Sequence, residues 1–482
     1  MTRERLVPLI VAVALFMENM DSTVIATSLP AIAIDIGTDP LALKLAVTSY
    51  LLALAIFIPG SGWTADRFGA RTVFRLAIAV FIIGSIGCAL SDSLHSFVIA
   101  RFVQGMGGAM MAPVGRLVLM RSVDKRNLVD AMTWVTMPAL IGPLLGPPLG
   151  GFITTYFSWH WIFIINVPIG LAGIALATRY IENIRGETRE PFDPIGMVLA
   201  GLGIGGIAFG LTAVGLNNFL PAGILVTMIA GGALCIFLYI LHARRTPAPV
   251  MDLSLFRLPS FRAGVAGGFL YRVGAGALPF LLPLMLQIGF HKTPFQSGMI
   301  TFATAVGAMS MKTAIPTLLR RFGYRSVLTW NALVSSAFIA ACALFTPSTP
   351  IIVMLAVLFA GGFFRSLQFT SAMTIGYAEV EPRRMSRATS LAAVSQQLSV
   401  STGVALGALA VEVVLSWRHE SVIGAADFAP AFLLVGGIAA LSSVIFWRLP
   451  PDAGAELTDR RLAPADPPGT AGPAAPPDQR AP

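Results

Sequence analysis

Ala65-Asp66-Arg67-Phe68-Gly69-Ala70-Arg71 has a distant echo in Leu319-Arg320-Arg321-Phe322-Gly323-Tyr324-Arg325. Both stretches carry Arg-Phe-Gly-x-Arg, and both follow an apolar run long enough to cross a bilayer. A second pair sits in a comparable place: Arg101-x-x-Gln104 in the fourth run, and Arg365-x-x-Gln368 in the fourth run of a later series. Two matches at corresponding positions predict a duplicated six-helix unit, an architecture that places a substrate cavity between its copies.

Outward from these turns, a window of about 20 mostly apolar residues predicts fourteen spans. They lie near 6–29, 43–63, 72–91, 95–117, 131–155, 159–178, 195–215, 220–241, 263–286, 296–318, 326–345, 349–371, 387–414 and 428–447. The fold expected is an all-α membrane bundle. Residues 1–178 form one six-helix half, 179–262 a linker with two extra spans, 263–448 the second half, and 449–482 a disordered cytoplasmic tail rich in Pro, Ala and Gly. With the N-terminus inside, about 26 of the 33 Lys and Arg fall in cytoplasmic segments and about three outside (Lys44, Lys292, Arg418). One helix more or fewer would spoil that asymmetry. The protein is therefore expected in a bacterial inner membrane with both termini cytoplasmic.

Composition agrees. Of 482 residues 55% are hydrophobic and 12% charged, and mean hydropathy is +0.77. A soluble domain carries about a quarter charged residues, so this surface must face lipid. The net charge of +9 follows topology and forms no basic patch for nucleic acid. Cys88, Cys235 and Cys342 lie in apolar runs without ligand spacing, so neither a disulfide nor a metal is expected. Glu18 and Asp21 interrupt the first apolar run, which reads as an uncleaved helix and not a signal peptide. No phosphate-cradling Gly-x-x-x-x-Gly-Lys loop is present. No cofactor is expected, and an ion gradient or facilitated diffusion is left to drive transport.

Charges inside the spans are the candidate functional residues. Glu18 and Asp21 share a helical face three residues apart, where a charge costs about 2.5–3.5 kcal/mol to insert. A carboxyl in hydrocarbon favours its neutral form, which suits proton carriage. Arg101 stays charged and is expected to tune that acid, or to pair with it structurally. Proton coupling is therefore assigned to Asp21, Glu18 and Arg101, and a substrate cavity to Asp21, Gln104, Arg272, Arg365 and Gln368. Lys312 reads as snorkelling to an interface. A latch between the halves is expected from Gly62, Asp66, Arg67, Gly69 and Arg71, with Arg321 and Arg325 from the second copy, where Arg320 replaces the acid. In the fifth span, Gly142, Pro143, Gly146, Pro147, Gly150 and Gly151 combine lost backbone donors with close approach, a pattern suited to a packed hinge.

These motifs resemble the major facilitator superfamily, specifically its fourteen-helix drug:proton antiporter branch, over nearly the whole chain. The residues that carry the likeness are Met20 to Pro30, the Gly62–Arg71 loop, Arg101-x-x-Gln104-Gly105, the Gly142–Gly151 stretch, and Trp159-His160-Trp161-Ile162-Phe163-x-x-Asn166-x-Pro168-x-Gly170. His160 stands where the branch often has Arg. The resemblance implies export in exchange for protons, with proton transfer associated with the Arg101 motif.

The expected activity is thus proton-coupled export of small amphipathic compounds by alternating access, with protons, the cargo and the bilayer as partners. A metabolite or organic-anion exporter is the alternative, because the spans hold about four cations (Arg101, Arg272, Lys312, Arg365) against Glu18, Asp21 and, at an outer end, Glu412. An enzyme or receptor would need a polar catalytic cluster or a soluble output domain, and neither is visible.

Overall fold

The structure is a computed structural model that describes residues 3–122, 128–185, 192–214, 216, 220–419 and 422–457. Most of the expected disordered tail (449–482) and part of the 179–193 link lie outside the described residues.

Among the described residues, apolar runs too long for a soluble core become fourteen helices of 14 residues or more. They are α1 Arg3–Val24, α2 Lys44–Phe57, α3 Ala70–Ala89, α4 Leu94–Ser122, α5 Leu128–Tyr156, α6 Asn166–Tyr180 and α7 Pro194–Ala213. The series continues with α8 Ala222–Ala243, α9 Gly268–Leu284, α10 Pro294–Met311, α11 Ile315–Ala341, α12 Ile351–Gly376, α13 Met385–Arg418 and α14 Phe428–Trp447. Among the described residues, twelve helices are long and apolar enough to cross a membrane. The two long helices outside that twelve are α5, whose described side chains begin at Ile141, and α10, whose apolarity is diluted by Gln296, Ser297, Thr301, Thr304 and Ser310. Fourteen alternating helices return Trp447 to the face where Arg3 starts, called here the terminal face.

Packing partners sort the helices. α1 lies on α4, α5 and α6, and α4 on α2 and α3; later in the chain α9 lies on α13 and α14, and α12 on α10 and α11. Two pairs join these groups, α2 with α13 and α5 with α10. Helices α7 and α8 pack on each other, and α7 reaches α2 and α13. Only 11% of the apolar window of α8 is buried inside the protein, against 83% for the span containing α9. So α9 is central, and α8 turns Val226, Leu234 and Phe237 outward.

The repeated turn has a shared backbone cause. Gly69 has φ +93° and Gly323 φ +75°, a region L side chains rarely adopt. Gly69 breaks the helix between an exposed basic segment and α3, and Gly323 makes the corresponding kink inside α11. The Arg-Phe-Gly-x-Arg echo is therefore an echo of conformation as well as of letters.

Candidate functional site

Asp21, in the last two turns of α1, is wholly buried, and four side chains from three other helices converge on it or its partners. Arg101 Nη1 of α4 donates to Asp21 Oδ2 at 2.8 Å, and Gln104 Nε2, one turn on, donates to Oδ1 at 2.8 Å. Asn166 Nδ2, the first residue of α6, donates to the same oxygen at 2.9 Å. Ser85 Oγ of α3 accepts from Gln104 at 2.8 Å and from Asn166 at 3.3 Å. Arg101 also donates to Gln104 Oε1 at 2.6 Å, and its guanidinium carbon lies 4.3 Å from the centre of the Tyr50 ring. A carboxylate this deep is tolerable because it is paired and hydrogen-bonded on both oxygens. The network is tight but incomplete: Arg101 Nε, Asn166 Oδ1 and the Tyr50 hydroxyl are buried without partners. Such half-satisfied groups give the cluster a reason to rearrange when one charge changes.

Glu18, one turn before Asp21, faces elsewhere. It lines a cavity of about 380 Å³ between the two helix groups, and one of its carboxyl oxygens is buried without a partner. Across from Glu18 the wall carries Arg272 of α9, Tyr377 after α12, and Gln396 and Gln397 of α13; Arg116 of α4 is on the Glu18 side. Ile58, Arg116, Gly264, Gly376 and Thr389 also line it, all from helix segments nearest the terminal face.

At the opposite, far face the groups are sealed together. Lys44 Nζ donates to Glu412 Oε1 at 2.7 Å and to Val214 O at 3.2 Å. Gln287 Nε2 donates to Thr27 O at 3.0 Å, and Phe295 N to Thr155 Oγ1 at 3.0 Å. Lys44 is buried and paired, although its place beside a break suggests an outer-loop cation. That pairing also removes Glu412 as an unpaired acid.

The other expected residues fall into separate places. Of the expected cavity set only Arg272 lines the large cavity; Asp21 and Gln104 are in the buried network, and Arg365 lines a small pocket with Ser335 and Cys342. Gln368 is buried, donating to Leu328 O at 3.1 Å and accepting from Asn331 at 2.8 Å. It thus meets α11 much as Gln104 meets α3. In the first turn, Arg71 donates to Ile181 O at 3.3 Å, and a Cβ on Gly69 would fall 2.2 Å from Asn183 Oδ1. Gly62 faces open space, Asp66 is half-buried and Arg67 exposed. In the second turn, Arg321 lies over Phe322 and Arg325 over Trp447.

The Gly-Pro stretch lies within one continuous helix, α5. A Cβ on Gly142, Gly146 or Gly150 would come within 3.1, 2.0 and 2.3 Å of α1 atoms, and one on Gly151 within 2.4 Å of Pro294 O. On the partner helix, a Cβ on Gly298 would come 2.2 Å from Pro147 O. These residues, with Pro143 between them, let α5 seat against α1 on one side and α10 on the other.

Comparison with known proteins settles the family. The family model described as Major Facilitator Superfamily matches residues 11–256 and 264–475. The chain belongs to that superfamily. It is 38% identical over 454 residues to the "Putative multidrug resistance protein MdtD" of Salmonella heidelberg (strain SL476), covering 92% of this chain and 94% of that protein. Among solved structures, an auto-inhibited POT family peptide transporter aligns with TM-score 0.66 at 18% identity, covering 98% and 99% of the two chains. A D-xylose-proton symporter aligns with TM-score 0.65 at 15% identity, covering 93% and 98%. The chain is a multi-pass membrane transporter and not an enzyme.

Several site residues escape sequence reasoning. Ser85 and Tyr50 are ordinary helix residues whose role depends on which neighbour they meet. Asn166 has a signal, since it is a polar residue inside the Trp159–Gly170 motif. Arg116 reads as a cytoplasmic-end basic residue, and its position in the cavity emerges only from the packing of α4.

Proposed function

We propose that this transporter is a proton-coupled exporter of small amphipathic compounds that works by alternating access, with Asp21 as the proton-linked acid. The observation that carries the reading is the buried Arg101–Asp21 ion pair, with Gln104 and Asn166 donating to Asp21 and Ser85 behind them. Ionised, Asp21 holds α1, α4 and α6 together. A proton on Asp21 cancels its charge, leaves Arg101 buried without a counter-ion, and so drives the helices to repack. Return of the ion pair expels the proton.

The two six-helix groups would act as the moving halves, with α7 and α8 as an inserted pair. What supports this is the sorting of the helices into two groups that meet mainly through α2 with α13 and α5 with α10. The Gly142–Gly151 seat is the pivot in this scheme. The basic charge of the loops supports cytoplasmic termini, and in that orientation the cavity on the terminal face would belong to an inward-facing state of a bacterial inner-membrane protein. The turns at Gly62–Arg71 and Arg321–Arg325 would close that side in the opposite state.

The test is transport in reconstituted vesicles under an imposed pH gradient. Movement of an amphipathic dye should require the gradient and stop when an ionophore collapses it. Equal movement with and without the gradient would remove proton coupling.

A further inference from the structure

The large cavity is electrically one-sided. Among its described lining residues the charged side chains are Glu18, Arg116 and Arg272. With Glu18 ionised the wall carries one net positive charge, and with Glu18 neutral it carries two. Neither arginine has a carboxylate within 4 Å among the described residues. The two guanidinium groups come from different helix groups and line the same cavity as Tyr377.

Arg272 is held in place without an acid. Its guanidinium carbon lies 5.6 Å from the centre of the Phe369 ring, and Gly268 gives it room, since a Cβ there would fall 2.9 Å from Arg272 Nη1. It is 7% exposed. An arginine seated on a cavity wall with no carboxylate partner keeps its N–H groups available to a visiting group. Guanidinium forks match carboxylate and phosphate oxygens, and the Gln396 and Gln397 amides add polar contacts on the same wall. Leu15, Ile58, Ala109, Ala112 and Val265 give the lining an apolar part, beside the uncharged polar Asn19, Ser61, Thr389 and Ser390.

We propose that this cavity takes amphipathic organic anions, with Arg272 and Arg116 receiving a carboxylate or phosphate group while the apolar wall holds the hydrocarbon body. The proposal rests on the transport reading above and names its cargo. A lipophilic cation would meet two guanidinium groups and a single acid, an arrangement that repels it.

The test uses the full chain in vesicles with an imposed pH gradient and three probes: carboxyfluorescein, uncharged N-phenyl-1-naphthylamine and cationic ethidium. Carboxyfluorescein should move at least tenfold faster than ethidium. Proton-driven movement of ethidium or the uncharged dye without carboxyfluorescein would overturn the anion assignment and leave the transport reading intact. If no probe moves, the transport reading fails first and this one with it. Binding of carboxyfluorescein to purified protein gives a second readout. Arg272→Gln and Arg116→Gln should each raise Kd about tenfold, with Arg272→Lys in between, in variants whose melting temperatures match the parent. Unchanged Kd in both Gln variants would overturn the proposal. Benzoate and phenyl phosphate as competitors separate carboxylate from phosphate recognition; failure of both to compete would also count against it.

Discussion

Lys44 and Glu412 meet at 2.7 Å on the far face, joining the first residue of α2 to the last turns of α13. Lys44 is 1% and Glu412 17% exposed by side chain, so the pair is largely withdrawn from water. An ion pair at this place ties the two helix groups at the end opposite the cavity. In the proposed alternating-access cycle, opening the far face would require breaking it.

Removing one partner leaves the other charge stranded, so Lys44→Met should destabilise the closed far face more than Lys44→Met combined with Glu412→Leu. The check is alkylation of a cysteine placed at buried Leu286, near the end of α9. Labelling should rise several-fold in Lys44→Met and fall back in the double variant. Equal labelling in all three would deny the pair a gating role.

The α5 seat makes a steric prediction. Because a Cβ on Gly146 would lie 2.0 Å from Thr23 Oγ1, Gly146→Ala forces α1 and α5 apart, costing about 1–3 kcal/mol. Thr23→Ala should recover part of that loss by removing the hydroxyl. Gly62→Ala, which meets nothing within 4 Å, serves as the neutral control. Melting of the purified parent, Gly146→Ala, the Gly146→Ala/Thr23→Ala double variant and Gly62→Ala reads these effects.

Much of the fold was legible in the sequence because a lipid-facing helix needs a long apolar run, and such runs are visible without knowing their neighbours. The Arg-Phe-Gly-x-Arg echo likewise announced Gly69 and Gly323, because the glycine is there for its backbone. Asp21 and Arg101 stood out as charges too costly to be idle. Which acid faces the cavity was not legible. Glu18 and Asp21 are three residues apart on the same helix, yet one lines the cavity and the other is sealed behind α4 and α6. That choice depends on helix rotation and on neighbours far along the chain. Lys44 was hidden for a similar reason, since its counter-ion sits on α13.

Outside the membrane, Asp252 joins the loop before α9 to the turn before α13. Arg384 Nη2 donates to Asp252 Oδ2 at 2.7 Å, and Ser254 N donates to Oδ1 at 3.0 Å. Burial pushes this carboxyl upward, but the bonds from Ser254 and Arg384 outweigh it and hold the group below its ordinary value. A depressed acid stabilises the fold above the unfolded value, about 3.9, and loses that contribution as pH falls through the folded one. The stability gap between the parent and Asp252→Asn should therefore stay constant from pH 8 to 5 and shrink below about pH 4. Thermal melting across that range checks it; a gap that already narrows near neutrality would contradict the assignment.

The proposed proton coupling rests on Asp21, and one substitution addresses it. Asp21→Asn keeps the shape, and its amide can still meet Gln104 and Asn166, but it cannot take up and release a proton. In vesicles, this variant should still exchange labelled for unlabelled cargo across the membrane while losing pH-gradient-driven accumulation by at least tenfold. Gradient-driven accumulation at the parent rate in Asp21→Asn would contradict the account.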